Sequence, residues 1–157
     1  MKFEIKHRWT GSILFSVEAG SMKLAVEAAV KAKANLSKAD LSEADLSFVR
    51  DDFWAVLSAA PKEVPALRQA LLDGKVNGSS YTGECACLVG TIANVRGVNY
   101  ESLGVLQPNS KRPAERFFLA INKGDTPDTN AAAKMVLSWT DAWLENMRAA
   151  FGTAVSQ

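Results

Sequence analysis

A chain of 157 residues that is 48% apolar can bury the core of one compact domain without disulfides, so we predict a single domain over residues 1–157. Eighteen basic and seventeen acidic residues leave a formal charge of +1, which argues against strong attraction to nucleic acids. The first residues alternate charged and apolar side chains, unlike a signal peptide, and no segment reaches the roughly 18 consecutive apolar residues of a transmembrane helix. Together with the small number of cysteines, these features predict a soluble protein of the reducing cytoplasm.

Residues 1–33 predict a β-hairpin followed by a helix. Apolar residues and His7 occupy alternate positions of KFEIKHRW, which is the pattern of a half-buried strand. The pair Thr10-Gly11 supplies a turn, and the alternating stretch SILFSVEA completes an antiparallel hairpin. Ser21 is then a suitable N-terminal cap for a helix over residues 22–33.

Residues 34–48 repeat the motif Ala-Asn/Asp-Leu three times at a strict five-residue interval. This period suits neither a helix nor a strand. The segment resembles the pentapeptide-repeat family, in which the central leucine and the alanine two residues before it point into a right-handed β-helix. Because repeats need neighbours to bury their inner face, so short a run predicts a coil or loop joined to the core.

Residues 49–150 predict a mainly helical body, so that the fold class is α+β. The expected helices cover residues 51–60, 61–74, 85–95 and 111–124, with a longest helix opened by Thr126-Pro127. Ser110 is the predicted cap of the fourth helix. Methionines and tryptophans spaced by four indicate the buried face of the last helix, namely Met135, Trp139, Trp143 and Met147.

The stretch GECACLVG, residues 83–90, places Cys85 and Cys87 one residue apart. On a helix starting near Gly83, the small residues at positions 86, 90 and 93 would share a face and allow a second helix to approach closely. Both cysteines would then act as small hydrophobic residues. A Cys-X-Cys pair with a single distant histidine matches zinc-site spacing poorly, so we predict no metal and no cofactor.

A cysteine-dependent enzyme is the alternative interpretation. A helix N-terminus lowers the pKa of a thiol, which would make Cys85 a nucleophile. His7 is the only histidine in the chain and therefore the only candidate imidazole base. Neither cysteine lies in a known catalytic signature, so we predict no catalytic residue.

The loop NGSSYTGE, residues 77–84, is the strongest candidate binding element. Glycines and hydroxyl residues before a helix expose backbone N–H groups to an anionic or polar ligand. The loop lacks the lysine of a phosphate-binding P-loop, and an ordinary capped loop remains the alternative. The predicted contact residues here are Ser79, Tyr81, Thr82 and Glu84.

The stretch KRPAER adds Arg112 and Arg116 to the predicted binding residues. Cations near a helix N-terminus oppose the helix dipole, so they need compensation. Glu115 and nearby aspartates would supply it within the protein. Otherwise the two arginines would bind phosphate or an acidic partner surface.

The hairpin, the pentapeptide stretch, GECACLVGTIAN and RPAERFFLAI together resemble a group of small phage and prophage proteins with variable numbers of pentapeptide repeats. This resemblance implies a phage origin and the cytoplasm of a host cell, and it implies no catalytic residues. We therefore predict a non-enzymatic inhibitor that binds a host defence component, either a protein or a small nucleotide, and neither a membrane nor nucleic acid. A self-assembling structural protein, paired through the hairpin edge, is a further alternative, and a homo-oligomer remains possible under any of these functions.

Overall fold

The computed structural model describes residues 1–7, 10–32, 34 and 46–152. These residues form a two-stranded antiparallel sheet followed by six α-helices, which confirms the predicted α+β class. The predicted pentapeptide-like coil falls mostly on residues 35–45, which lie outside the described residues. None of the helices in the described part of the chain has the length and apolarity needed to span a membrane.

The N-terminal hairpin consists of β1 (Lys2–Lys6) and β2 (Ile13–Glu18), as predicted. Ile5 is buried, and Nδ1 of His7 accepts the N–H of Thr10 inside the turn. This bond places the imidazole in the hairpin turn, where it helps to fix the connection between the strands.

Helix α1 (Met22–Lys31) packs against both strands. Its cap is Ser21, whose hydroxyl accepts the N–H of Leu24 at 3.3 Å, so the predicted start is confirmed. The helix ends two residues earlier than the predicted 22–33.

Five further α-helices and one 3-10 turn make up the body: α2 (Ser47–Ala59), α3 (Val64–Leu72), α4 (Leu88–Arg96), the turn Tyr100–Ser102, α5 (Pro113–Phe118) and α6 (Ala131–Phe151). Several predicted boundaries were wrong, including the starts of α3 and α4. Helix α2 begins before Asp51, α5 ends well before Gly124, and α6 begins after Asn130 instead of at Thr126-Pro127. Asn130 caps α6 because its side chain accepts the N–H of Ala133 at 3.0 Å.

Aromatic side chains of α2, α5 and α6 meet in the core. The ring of Phe53 lies 5.8 Å from that of Phe118, and the ring of Trp139 lies 5.5 Å from that of Phe117. Trp143 is buried beside them, as the spacing of the last helix predicts. The core therefore fixes α5 between two longer helices.

Helix α4 begins at Leu88 and not at Cys85 as predicted, so both cysteines precede the helix. The helix begins at Leu88 and ends at Gly97, whose φ of 68° suits a left-handed cap. The atom nearest to a β-carbon built on Gly90 is the carbonyl oxygen of Tyr81, at 2.4 Å. The small residue at position 90 thus accommodates the preceding loop, whereas the sequence predicted a second helix there.

Candidate functional site

The loop formed by residues 77–87 is closed on itself by hydrogen bonds. Its ends meet where the N–H of Asn77 donates to the carbonyl of Ala86 at 3.0 Å. Its middle is joined to its end by the N–H of Cys87, which donates to the carbonyl of Ser80 at 2.6 Å. A compact loop of this kind holds its own side chains in defined positions.

Gly78 lets this loop lie directly against the end of α5. Its N–H donates to the carbonyl of Ile121 at 2.9 Å. A β-carbon at this position would lie 1.8 Å from the carbonyl oxygen of Phe118, so only glycine leaves enough space. The 77–87 loop and the segment around α5 therefore form two adjoining walls.

The second wall comprises residues 109–119, which include α5. Asp52 of α2 anchors the helix, because its Oδ2 accepts the N–H of Ala114 at 2.9 Å. Arg112 lies between two carboxylates, with Nε 3.8 Å from Oδ1 of Asp52 and Nη1 3.8 Å from Oε1 of Glu115. The compensation predicted for this arginine is confirmed.

Glu115 connects the two walls and is only 5% exposed. Its Oε2 accepts the hydroxyl of Tyr81 at 2.7 Å, and its Oε1 accepts the N–H of Asn109 at 3.1 Å. Burial, followed by this bond to a carboxylate, raises the pKa of Tyr81. The tyrosine ring also stacks on Tyr100, with ring centroids 5.3 Å apart. Its hydroxyl is therefore a fixed donor that stays protonated at neutral pH.

A cleft of about 190 Å³ opens between the two walls. The loop contributes Gly78, Ser79, Tyr81 and Cys87 to its lining. The second wall contributes Ser110, Glu115, Arg116 and Leu119. A few polar groups converging on apolar walls are typical of recognition sites.

The two cysteines occupy different environments. Cys87, which immediately precedes α4, is 3% exposed and lines the cleft, whereas Cys85 is half-buried and lies before the helix. Burial raises the pKa of Cys87 to about 11, although N–H groups at the start of α4 act in the opposite direction. Cys85 was predicted to lie at the helix N-terminus, and this was wrong because the helix starts at Leu88. The thiol at the helix start is a protonated, poorly nucleophilic group at neutral pH.

We expect iodoacetamide to label Cys87 slowly in the folded protein at neutral pH, because the thiol is buried and its pKa is raised to about 11. The rate should increase as the pH rises towards that value, since only the thiolate reacts. Mass spectrometry of a Cys85→Ala variant measures the rate at Cys87 alone. The same variant unfolded in urea is the control, and equal rates in the folded and unfolded states would contradict the prediction.

Three of the six predicted binding residues meet at the cleft: Ser79, Tyr81 and Arg116. Arg112 is not among the residues that line the cleft, and it pairs with Asp52 and Glu115. The two arginines therefore have different contacts, although they were predicted to act as a pair.

The other two predicted residues, Thr82 and Glu84, are exposed and do not line the cleft. Oε1 of Glu84 lies 3.8 Å from Nζ of Lys75, which is a surface ion pair of small energetic value. That Thr82 and Glu84 contact a partner or ligand stays a prediction.

Several residues that build the cleft were not predicted as part of a site. Ser110 was predicted to cap α5, but the helix begins at Pro113, directly after Arg112. The N–H of Ala114 in its first turn donates to Asp52, on a helix far away in the sequence. Cys87 was predicted to be a packing residue, after a zinc site was judged a poor match, and Glu115 was considered only as compensation for charge. The sequence signal for this site was the presence of two polar stretches, residues 77–84 and 111–116. That these stretches lie side by side depends on tertiary contacts, which the sequence does not show.

No known family model matches this sequence, and neither curated proteins nor solved structures show significant similarity to it. The resemblances to pentapeptide-repeat proteins and to small phage proteins therefore stay predictions.

Proposed function

We propose that this protein is a non-enzymatic binding protein and that the cleft contacts its partner. The observation that supports this function is the convergence of Ser79, Tyr81 and Arg116 on one cleft from two stretches separated in the sequence. Hydroxyl groups and a guanidinium beside the apolar side chain of Leu119 can fix the orientation of a bound group.

The chemistry of the cleft favours binding over catalysis. The Cys87 thiol is protonated at neutral pH, since its pKa is raised to about 11. The Glu115 carboxylate already accepts bonds from Tyr81 and Asn109, so it is committed to holding the walls together. Neither group is in the state that a nucleophile or a general base requires.

The resemblance to phage proteins supplies the biological part of the proposal. In this proposal, the protein acts in the cytoplasm of a bacterial host and blocks a defence component, either a protein or a nucleotide signal. Arg116 and the hydroxyl residues would be its contact groups. A partner held in this way is sequestered and not chemically altered.

A Ser79→Trp variant tests this function, because an indole at the cleft should obstruct the partner. Ser138→Trp is the matched control, since Ser138 is an exposed serine of α6 that does not line the cleft. Affinity capture from bacterial lysate with quantitative mass spectrometry should retain the same partner on the wild type and on the control, and lose it on Ser79→Trp. Melting temperatures with a panel of cyclic and linear nucleotides test the second class of ligand.

Retention of one partner by all three proteins would contradict a role for the cleft. Recovery of nothing but further copies of the chain, together with no nucleotide-induced rise in melting temperature, would favour the self-assembling structural protein instead.

A further inference from the structure

Arg116 differs from most of the other described arginines in lacking an acidic partner. Four described arginines lie within 4.0 Å of a carboxylate: Arg50, Arg68, Arg96 and Arg112. Within the part of the chain that the structure describes, no ion pair involves Arg116 or Arg148. Arg148 is exposed on α6, whereas Arg116 lines the cleft. A half-buried guanidinium in a cleft, without an ion pair among the described residues, is available to a counter-charge from outside the chain.

The guanidinium of Arg116 is already oriented. Its Nε donates to the carbonyl of Ser110 at 2.7 Å, which leaves the two Nη groups to bind an occupant. Because a planar guanidinium held in this way has lost part of its freedom beforehand, it binds a carboxylate at a smaller entropic cost.

The nearby carboxylate of Glu115 forms its described contacts with groups other than Arg116. It is 5% exposed, it accepts bonds from Tyr81 and Asn109, and it lies 3.8 Å from the guanidinium of Arg112. Its carboxylate is thus engaged by other groups of the walls, and no ion pair among the described residues joins it to Arg116.

The volume of the cleft restricts the occupant. At about 190 Å³ it lies below the range of roughly 300–1,000 Å³ that is usual for pockets enclosing a whole small-molecule ligand. A nucleotide would extend well outside such a cleft, whereas one side chain fits. Leu119 and the ring of Tyr81 can pack against the methylene groups of that side chain.

Resting on the proposed binding function, we propose that the cleft takes an acidic side chain of a partner protein, an aspartate or glutamate whose carboxylate pairs with Arg116. The hydroxyl of Ser110, which also lines the cleft, can donate to the same group, whereas the hydroxyl of Ser79 already donates to Oδ1 of Asn77 at 2.7 Å. The partner is therefore a protein that presents an exposed acidic residue as its anchor.

The test uses the full-length protein labelled with ¹⁵N and a glutamate blocked at both main-chain ends as the probe. The matching blocked glutamine, which has nearly the same shape and no charge, is the comparison, and adenosine monophosphate represents nucleotides. We expect the glutamate probe to shift amide signals of the two walls with an affinity in the millimolar range. The glutamine probe should bind about tenfold more weakly, or not at all, because it lacks the charge-assisted bonds.

Three variants complete the experiment. Arg116→Gln should abolish the response to blocked glutamate, while Arg148→Gln should leave it unchanged. Arg116→Lys keeps the charge and should retain part of the binding, which separates the loss of a contact from damage to the fold. The amide spectrum of each variant without probe reports on its fold directly.

Three results would overturn the inference: equal responses to the glutamate and glutamine probes, full binding by Arg116→Gln, or tighter binding of adenosine monophosphate at the same amides. None of them decides whether the cleft binds a partner at all. That question is answered separately by the loss or retention of the captured partner on Ser79→Trp.

Discussion

A Gly78→Ala variant should lose about 3 kcal/mol of unfolding free energy, the upper part of the range for an overpacked site. The added β-carbon would lie 1.8 Å from the carbonyl oxygen of Phe118 and 2.6 Å from the nitrogen of Leu119. Both are backbone atoms, which cannot rotate away as the tip of a side chain can. Relief of the clash requires the loop to move off α5, which would stretch the 2.9 Å bond from Gly78 to Ile121. Urea unfolding followed by circular dichroism measures the loss.

Gly20→Ala is the control for the general effect of replacing glycine by alanine. At that position a β-carbon would meet the end of the Leu24 side chain at 3.6 Å, which is an ordinary contact. We expect a change of at most about 1 kcal/mol, in the stabilising direction if the native backbone suits alanine. Similar stabilities for the two variants would show that the loop does not depend on close contact at Gly78.

The local parts of the fold were predictable because their signals lie within a few residues. The hairpin follows from the alternation of apolar residues around Ile5, and the cap of α1 follows from Ser21 standing directly before an alanine-rich stretch. The buried face of α6 was predicted only in part: of the four residues spaced by four, Trp143 is buried, whereas Met135, Trp139 and Met147 are half-buried at its edge.

Asp52 shows why other boundaries could not be predicted. Asp51 and Asp52 precede an apolar stretch, which is the usual pattern of a helix start, so the sequence predicted that α2 begins there. In the structure both residues lie inside α2, and Asp52 instead accepts the N–H of Ala114, which is 62 positions away in the chain. A local pattern cannot distinguish a carboxylate that caps its own helix from one that caps another.

The cleft was predictable only in part, for the same reason. Ser79, Tyr81 and Arg116 were chosen by residue type, and tertiary packing does bring them to one place. The bond between Tyr81 and Glu115 joins stretches that show no relationship in the sequence. A shift of a few residues in the start of α4 also decided which of the two cysteines lies at the helix N-terminus.

Truncating that buried carboxylate, in a Glu115→Ala variant, is expected to destabilise the protein by about 3 kcal/mol. The change would leave the hydroxyl of Tyr81 and the N–H of Asn109 without their acceptor. It would also remove the carboxylate that lies 3.8 Å from Nη1 of Arg112. This nitrogen is buried and has no hydrogen bond, so its charge would then be compensated less well. Buried donors without partners retain the full cost of their desolvation. Urea unfolding measures the loss of free energy.

Three further variants separate the causes of this effect. Glu115→Gln keeps an acceptor oxygen and should cost less than alanine. Glu145→Ala, at an exposed position of α6, should change stability by at most about 0.5 kcal/mol. Tyr81→Phe removes the same hydrogen bond from the other side, so a double-mutant cycle with Glu115→Ala should show coupling of at least about 0.5 kcal/mol.

The titration of Tyr81 gives an independent readout of the same bond. Burial and the bond to Glu115 both raise the pKa of its hydroxyl, and Glu115→Ala removes the second cause while the ring remains stacked on Tyr100. The pKa followed by ultraviolet absorbance should therefore fall towards its ordinary value in this variant and stay raised in Glu145→Ala. An unchanged titration would mean that the tyrosine and the carboxylate do not interact in solution. The close contact of Gly78 with the end of α5 would then be a more important link between the two walls, and the Tyr81 hydroxyl would lose the acceptor that fixes its position.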